Sequence, residues 1–317
     1  LFFCSGGNKI MKNLLLFTLT LLSSLVYAEA FHDLYEIEPG KMLQANGEHA
    51  LPQWTNLKKG KAADSVKNGY SIFMNSSQLK SSGAVNNGMS CTNCHLSAGR
   101  QANAAPMWAA YPAYPAFRKK NNKINSFEDR IQGCFLYSMN AKNGQPPALK
   151  SKEILDLETY AQWLTGNIPK NKSIAGRGFV KLEKPEHTAD FQRGQVVYAK
   201  QCALCHNDNG SGRQISERYV FPPLWGKDSF NWGAGMHRVN TAASFIKANM
   251  PLGLGNSLTD QEAWDVAFFV NSHERPQDPR FKGDLQATQK EFHQHNCQYG
   301  KLSPAADQNL GEKAFYE

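Results

Sequence analysis

Beyond its opening stretch the chain has no apolar run approaching the ~18 residues that a membrane-spanning helix needs, so no span is expected in the mature protein. It also lacks clustered runs of lysine and arginine. A formal charge of +8 spread over 317 residues argues against a nucleic-acid-binding face and suits an anionic substrate or an acidic redox partner. Spare cysteines are few. Of seven, Cys4 precedes the expected start and four fall in two short motifs, leaving Cys134 and Cys297. That is too few for a fold stapled by disulfides. What the chain does have is 41% hydrophobic residues, enough for two modest cores rather than one large one.

The opening stretch has its own logic. Met11-Lys12-Asn13, the apolar run from Leu14 to Leu22 and the closing Val26-Tyr27-Ala28 have the three-part layout of a secretory signal peptide. Residues 1–28 are therefore expected to be a leader starting at Met11. The mature chain is expected to begin near Glu29 and to reside in the periplasm.

Four of the cysteines stand as Cys91-Thr92-Asn93-Cys94-His95 and Cys202-Ala203-Leu204-Cys205-His206. In a C-x-x-C-H segment the two thiols reach the haem vinyl groups, and the adjacent imidazole becomes the proximal iron ligand. A redox C-x-x-C or half of a zinc site would have to place a histidine after the second cysteine twice by accident. Two covalently bound haem c groups are expected, with His95 and His206 as metal ligands.

The surroundings of the motifs repeat as well. Gly69 precedes Phe73 by four residues ahead of the first motif, and Gly194 precedes Tyr198 by four ahead of the second. On a helix this places a gap and a ring on one face, where another helix can approach. Amphipathic segments from Ser151 to Thr165 and from Thr259 to Asn271 are the expected partners. The fold class is then all-α: two cytochrome c-like helical domains, at 29–166 and 188–275, joined by an irregular linker at 167–187. Residues 276–317, polar and containing Pro276, Pro279 and Pro304, are expected to be a tail laid over the surface, with Cys297 exposed and without function.

The far-side iron ligands decide what each haem does. For the second haem, Met250 lies 44 residues after His206 in Asn249-Met250-Pro251, with Met236 as a rival. Met139 lies the same distance after His95, and Cys134 lies 39 after it. Arg130, Cys134 and Ser138 recur at intervals of four on an expected helix from Ser126 to Asn140, so one face would present a cation, a thiol and a hydroxyl. A nearby cation favours the thiolate. On spacing alone, a core cysteine flanked by a solvated arginine reads equally well.

At this point a resemblance enters. The runs from Cys91 to Arg100, from Pro106 to Tyr111, from Tyr114 to Arg118, from Asp129 to Phe135 with Ser138, from Gly233 to Arg238 and from Phe245 to Pro251 together resemble the dihaem thiosulfate dehydrogenases. The resemblance covers most of the chain from about Ser65 to His273. It implies reversible joining of two thiosulfates into tetrathionate. It also implies an active-site haem held by His95 and Cys134, with Arg118, Arg130 and Ser138 around the substrate. Electrons would leave through a second haem held by His206 and Met250, toward a small periplasmic redox protein or a membrane electron-transfer complex. Some members carry lysine before the methionine; here Asn249 stands there, which implies a plain His/Met site. The rival readings are a non-catalytic dihaem shuttle with Met139 as ligand, and a dihaem peroxidase.

Overall fold

A computed structural model describes residues 51–118, 121–170 and 174–315; the expected leader lies outside the described residues. In chain order the main elements are α1 (Lys61–Met74), β1 (Ala116–Arg118), β2 (Lys123–Asn125), α2 (Phe127–Tyr137), α3 (Lys152–Thr165), α4 (Phe191–Gln201), β3 (Arg213–Ile215), β4 (Arg218–Phe221), α5 (Val239–Asn249), α6 (Asp260–Asn271) and α7 (Leu285–Phe292). Helices dominate. The strands form two small antiparallel hairpins, β1 with β2 and β3 with β4, which an all-α reading did not foresee.

Two helix pairs build the frame, and both follow one rule. Along α1, Val66, Gly69, Ile72 and Phe73 are buried at helical spacing, and α3 answers with Ile154, Leu157, Tyr160, Ala161 and Leu164. The helices touch at Gly69, where a Cβ would lie 2.0 Å from the Asp156 carbonyl oxygen. One residue turn further, the Phe73 ring meets Tyr160 at 5.6 Å between centroids. The same contact recurs between α4 and α6. A Cβ on Gly194 would lie 2.1 Å from the Asp265 carbonyl oxygen, and Tyr198 meets Phe269 at 5.2 Å.

Each contact also buries a carboxylate, which needs partners in the apolar interior. Ser65 donates to Asp156 at 2.6 Å, and Lys152 pairs with the same group. Arg193 donates to Asp265 through Nε and Nη2, at 2.8 and 2.9 Å. Start signals agree with the element ends: Ser126 with Asp129 forms a capping box on α2, and Thr259 with Glu262 forms one on α6.

The halves are fixed to each other close to α2. Asn231 donates its backbone N–H to the Tyr137 carbonyl at 3.1 Å, and its side chain donates to the Leu136 carbonyl and to Asn140 Oδ1, both at 2.9 Å.

Residues 276–317 depart from the expected surface tail. They contain α7 and close a further core in which Trp232, Cys297, Tyr299 and Leu310 pack together, none more than 1% exposed. The segment is polar on average, but its few apolar residues converge on one tryptophan of the second half. Cys297 is therefore buried, not exposed. Among the described residues no helix is long and apolar enough to cross a membrane.

Candidate functional site

Both C-x-x-C-H segments fold into the same turn. The His95 backbone N–H donates to the Cys91 carbonyl at 2.9 Å, and that of His206 donates to the Cys202 carbonyl at 2.9 Å. This winds each pair of thiols and its imidazole onto one short stretch. The ring Nδ1 of His95 contacts the Ala105 carbonyl at 2.8 Å, and that of His206 contacts the Pro222 carbonyl at 2.8 Å. A carbonyl partner makes Nδ1 the protonated nitrogen and leaves Nε2 free to ligate. Burial lowers the His206 pKa, against the Pro222 hydrogen bond, so the imidazole stays neutral. Burial pushes the thiols of Cys91, Cys94 and Cys202 up to about 12. They are therefore neutral thiols in this environment.

Beside the first turn lies a cavity of about 410 Å³, within the size range of cofactor sites. Cys91, Cys94 and His95 line it together with Cys134, Arg130 and Ser138. The residues expected on one face of α2 thus share a chamber with the first C-x-x-C-H turn. Arg130 Nη1 donates to Cys134 Sγ at 3.0 Å. The charge of Cys134 is the largest cause of the raised Arg130 pKa, with Tyr114 adding to it and burial opposing. Ser138 caps the end of α2, its backbone N–H donating to the Cys134 carbonyl at 2.8 Å. Met139 lines the cavity too, so the rival ligand is brought to the same place.

Arg118, exposed at the end of β1, also lines the cavity. Its guanidinium carbon sits 5.9 Å from the Tyr114 ring centroid, and Tyr114 and Arg130 act on each other electrostatically. One buried phenol therefore lies beside both arginines, a placement that the sequence did not reveal. Burial raises the Tyr114 pKa although both arginines oppose it, which keeps it a neutral donor. Arg177, Gly178 and Phe179 of the expected linker line the same cavity. They are held there because the Asn103 and Ala105 N–H groups donate to the Gly176 and Gly178 carbonyls, each at 2.7 Å. A linker without periodicity carried no signal for this.

The residues fit a haem in one further respect. Arg100 is 3% exposed, yet its Nη1 and Nη2 have no hydrogen-bond partner among the described residues. The guanidinium lies against the Trp54 and Trp163 rings, at 6.0 and 5.5 Å, and its unmet donors suit an anionic group; haem brings two propionates.

Met250 stands at the C-terminal end of α5 and is half-buried. Met236 packs instead against the cluster of Val239, Ala242 and Trp264. Asn249, beside Met250, donates through Nδ2 to the Asn103 carbonyl at 3.1 Å. The loop that holds His95 thus touches the helix end that carries Met250.

Comparison with known proteins agrees with this two-part layout. Residues 79–169 match the family described as SoxA/TsdA, cytochrome c domain, and residues 189–270 match cytochrome C oxidase, cbb3-type, subunit III. Two such cytochrome c domains imply haem c binding. The thiosulfate dehydrogenase of Stutzerimonas stutzeri (strain A1501) is 51% identical over 243 residues, which is 76% of this chain and 78% of that one. That of Thiomonas intermedia (strain K12) is 53% identical over 209 residues, 66% of each. The as-isolated structure of thiosulfate dehydrogenase (TsdBA) from Marichromatium purpuratum superposes with a TM-score of 0.81 at 43% identity. The match covers 84% of this chain and 58% of that longer one. On these identities, and with two cytochrome c domains on one frame, the chain belongs to the thiosulfate dehydrogenase family of c-type cytochromes.

Proposed function

We propose that this chain is a thiosulfate dehydrogenase, reversibly oxidising two thiosulfates to tetrathionate in the cavity beside His95. The Arg130–Cys134 contact carries the reading, because it sets a cation-supported thiol in the same chamber as a haem-attachment turn. Cys91 and Cys94 would hold one haem covalently and Cys202 and Cys205 a second. Bound haem supplies acceptance of electrons one at a time. His95 and Cys134 would hold the iron of the first, and His206 and Met250 that of the second. The packing of Met236 into an apolar cluster supports Met250.

Substrate charge explains the rest of the chamber. Thiosulfate is a dianion, and two of them repel, so the site needs fixed cations. Arg130 and Arg118 offer forked donors that match sulfonate oxygens, Ser138 adds a hydroxyl, and Tyr114 lies beside both guanidinium groups.

The Cys134 thiolate bonds to the sulfane sulfur of the first thiosulfate. That step forms one S–S bond and releases two electrons, leaving a singly charged cysteine adduct. The second thiosulfate then attacks the adduct, takes the group away as tetrathionate and returns Cys134 as a thiolate. The two steps together consume two thiosulfates and yield one tetrathionate and two electrons.

The leader pattern supports export to the periplasm, where a small redox protein or a membrane electron-transfer complex would collect those electrons. Thiosulfate-dependent reduction of ferricyanide by the haem-loaded protein, with tetrathionate as product, tests the activity. No product from folded, haem-loaded protein would overturn it. The shuttle reading, with Met139 as ligand, predicts no thiolate-to-iron charge-transfer absorption in the oxidised protein; the catalytic reading predicts that band.

A further inference from the structure

A second group of chemically active side chains lies outside the proposed chemistry. His237 comes from the turn Gly235–His237 ahead of α5, His293 follows the last residue of α7, and Cys297 comes four residues later. Their ligating atoms all lie within 4.8 Å of one another. Cys297 Sγ is 2.9 Å from His237 Nδ1 and 3.2 Å from His293 Nδ1. None of the three is more than 3% exposed.

The groups behind them are arranged as a metal centre requires. His293 turns its Nε2 to the Asp278 carboxylate at 2.9 Å, and Arg280 grips that carboxylate at 2.9 and 2.6 Å. A carboxylate on the far nitrogen fixes the tautomer that presents Nδ1 as an electron-pair donor and raises its basicity. Tyr299 stacks on the His293 ring with centroids 4.3 Å apart, and its backbone N–H points to Cys297 Sγ at 3.4 Å. Hydrogen bonds to the sulfur are among the features that tune a coordinated cysteine.

We propose that His237, His293 and Cys297 form a metal site that takes monovalent copper. Zinc structural sites close with four ligands, whereas three donors, one of them a soft sulfur, suit copper(I). Charge points the same way. The cations acting on Cys297 are Arg275, Lys301 and Arg238. Arg275 is 0% exposed, with Nε and Nη1 lacking hydrogen-bond partners among the described residues. The Glu274 carboxylate acts on Arg275, and Arg280 pairs with Asp278, so a monovalent ion with one thiolate adds no net charge to the buried cluster, whereas a divalent ion adds one. With copper(I), the Cys297 thiol loses its proton to solvent, and the thiolate cancels the ion's charge with no change of oxidation state.

Across a three-coordinate ion with bonds of about 2.3 Å to sulfur and 2.0 Å to nitrogen, N···S separations are about 3.7 Å, against the 2.9 and 3.2 Å present. Loading therefore asks the two rings to move outward by about half to three-quarters of an ångström. The bound ion would tie the segment after Arg275 to the turn that precedes α5. The competing arrangement is a metal-free triad: His237 Nδ1–H and the Tyr299 N–H donate to sulfur, and the thiol donates to His293.

The test loads the haem-containing full chain anaerobically with copper(I), removes loose metal with a chelator, and measures metal content and copper-edge X-ray absorption. About one retained copper per chain is expected, with a first shell of one sulfur and two nitrogens. Cys297→Ser should retain at least tenfold less, and Asp278→Asn should bind about 10–100-fold more weakly. Should a variant fail to fold, the absorption spectrum of the wild type alone decides. Equal retention by wild type and Cys297→Ser, a first shell without sulfur, no retained copper, or retention of zinc over copper from an equimolar mixture would each overturn the proposal.

Discussion

The two halves of this chain share a frame and differ in what faces it. In both, a glycine lets the first helix press onto an aspartate carbonyl of the last, an aromatic ring seals the crossing, and a carbonyl orients the histidine of a C-x-x-C-H turn. In the first half the chain then adds a hairpin ending in Arg118 and a helix bearing Arg130, Cys134 and Ser138. In the second it adds a hairpin, β3 with β4, and a helix, α5, whose C-terminal end carries Met250. The frame is that of a cytochrome c domain; on the proposed function, the added elements decide whether its cofactor meets substrate.

The largest expected effect tests that division directly. Cys134→Gly should leave Cys91, Cys94 and His95 to hold the first haem while lowering thiosulfate oxidation by about 10³-fold or more. Activity per haem-loaded molecule, haem stoichiometry and the mass of wild-type protein after incubation with tetrathionate are the measurements. The last should reveal a labile sulfur adduct on Cys134. Full specific activity in the folded variant would place the chemistry elsewhere and reduce the two halves to equivalent carriers.

The equivalence of the frames can be broken from the other side. Gly69→Ala and Gly194→Ala each drive a methyl group to about 2 Å from a carbonyl oxygen of the opposing helix, so the helices must separate. A loss of about 3 kcal/mol is expected for each. Only the first haem should fail to incorporate fully in one variant, and only the second in the other. Wild-type thermal stability in either would show that the crossing is softer than the contact implies.

Acid should separate the halves as well. His273, just after α6, stacks on Trp225 at 4.2 Å, and burial holds its pKa down at about 4, with Arg275 adding to the effect and backbone hydrogen bonds opposing it. Its counterpart region after α3 is Gly166 and carries no histidine. The neutral form is favoured on folding, so this contribution is complete above the unfolded pKa of about 6.5 and is lost as pH falls toward 4. The loss at pH 5 comes to about 2 kcal/mol. Denaturant titrations at pH 7 and pH 5 should show that difference shrinking in His273→Phe; an unchanged difference would assign the acid sensitivity to other groups.

How much of this was legible in the sequence depends on whether local spacing recorded it. The attachment turns, Gly69 with Phe73, Gly194 with Tyr198, and the clustering of Arg130, Cys134 and Ser138 are all relations within a few residues of one helix or turn. Tyr114 between two arginines and Arg177 at the cavity wall arise from tertiary placement, which spacing does not encode. The buried core around Cys297 was hidden for a related reason. Its apolar residues are scattered through a polar segment and become a core only by meeting Trp232, far earlier in the chain.

The smallest expected effect concerns the second half, where a methionine rather than a reactive thiol is the proposed far-side ligand. Asn249, the residue before Met250, donates through Nδ2 to the Asn103 and Phe245 carbonyls, so the helix end that carries Met250 is anchored to the loop that holds His95. Replacing the side chain should therefore leave this connection intact and change only what reaches the second iron. In Met250→Gly the long-wavelength methionine-to-ferric-iron band should disappear, the charge-transfer band assigned to Cys134 should persist, and steady-state turnover should slow by about tenfold, or about 1.4 kcal/mol. Potential alone would not distinguish ligand loss from altered packing, since both tune a haem. If the band survives in Met250→Gly and vanishes in Met236→Gly, then the apolar cluster of Val239, Ala242 and Trp264 is not the resting place of Met236, and the second half delivers its ligand from the start of α5 rather than from its end.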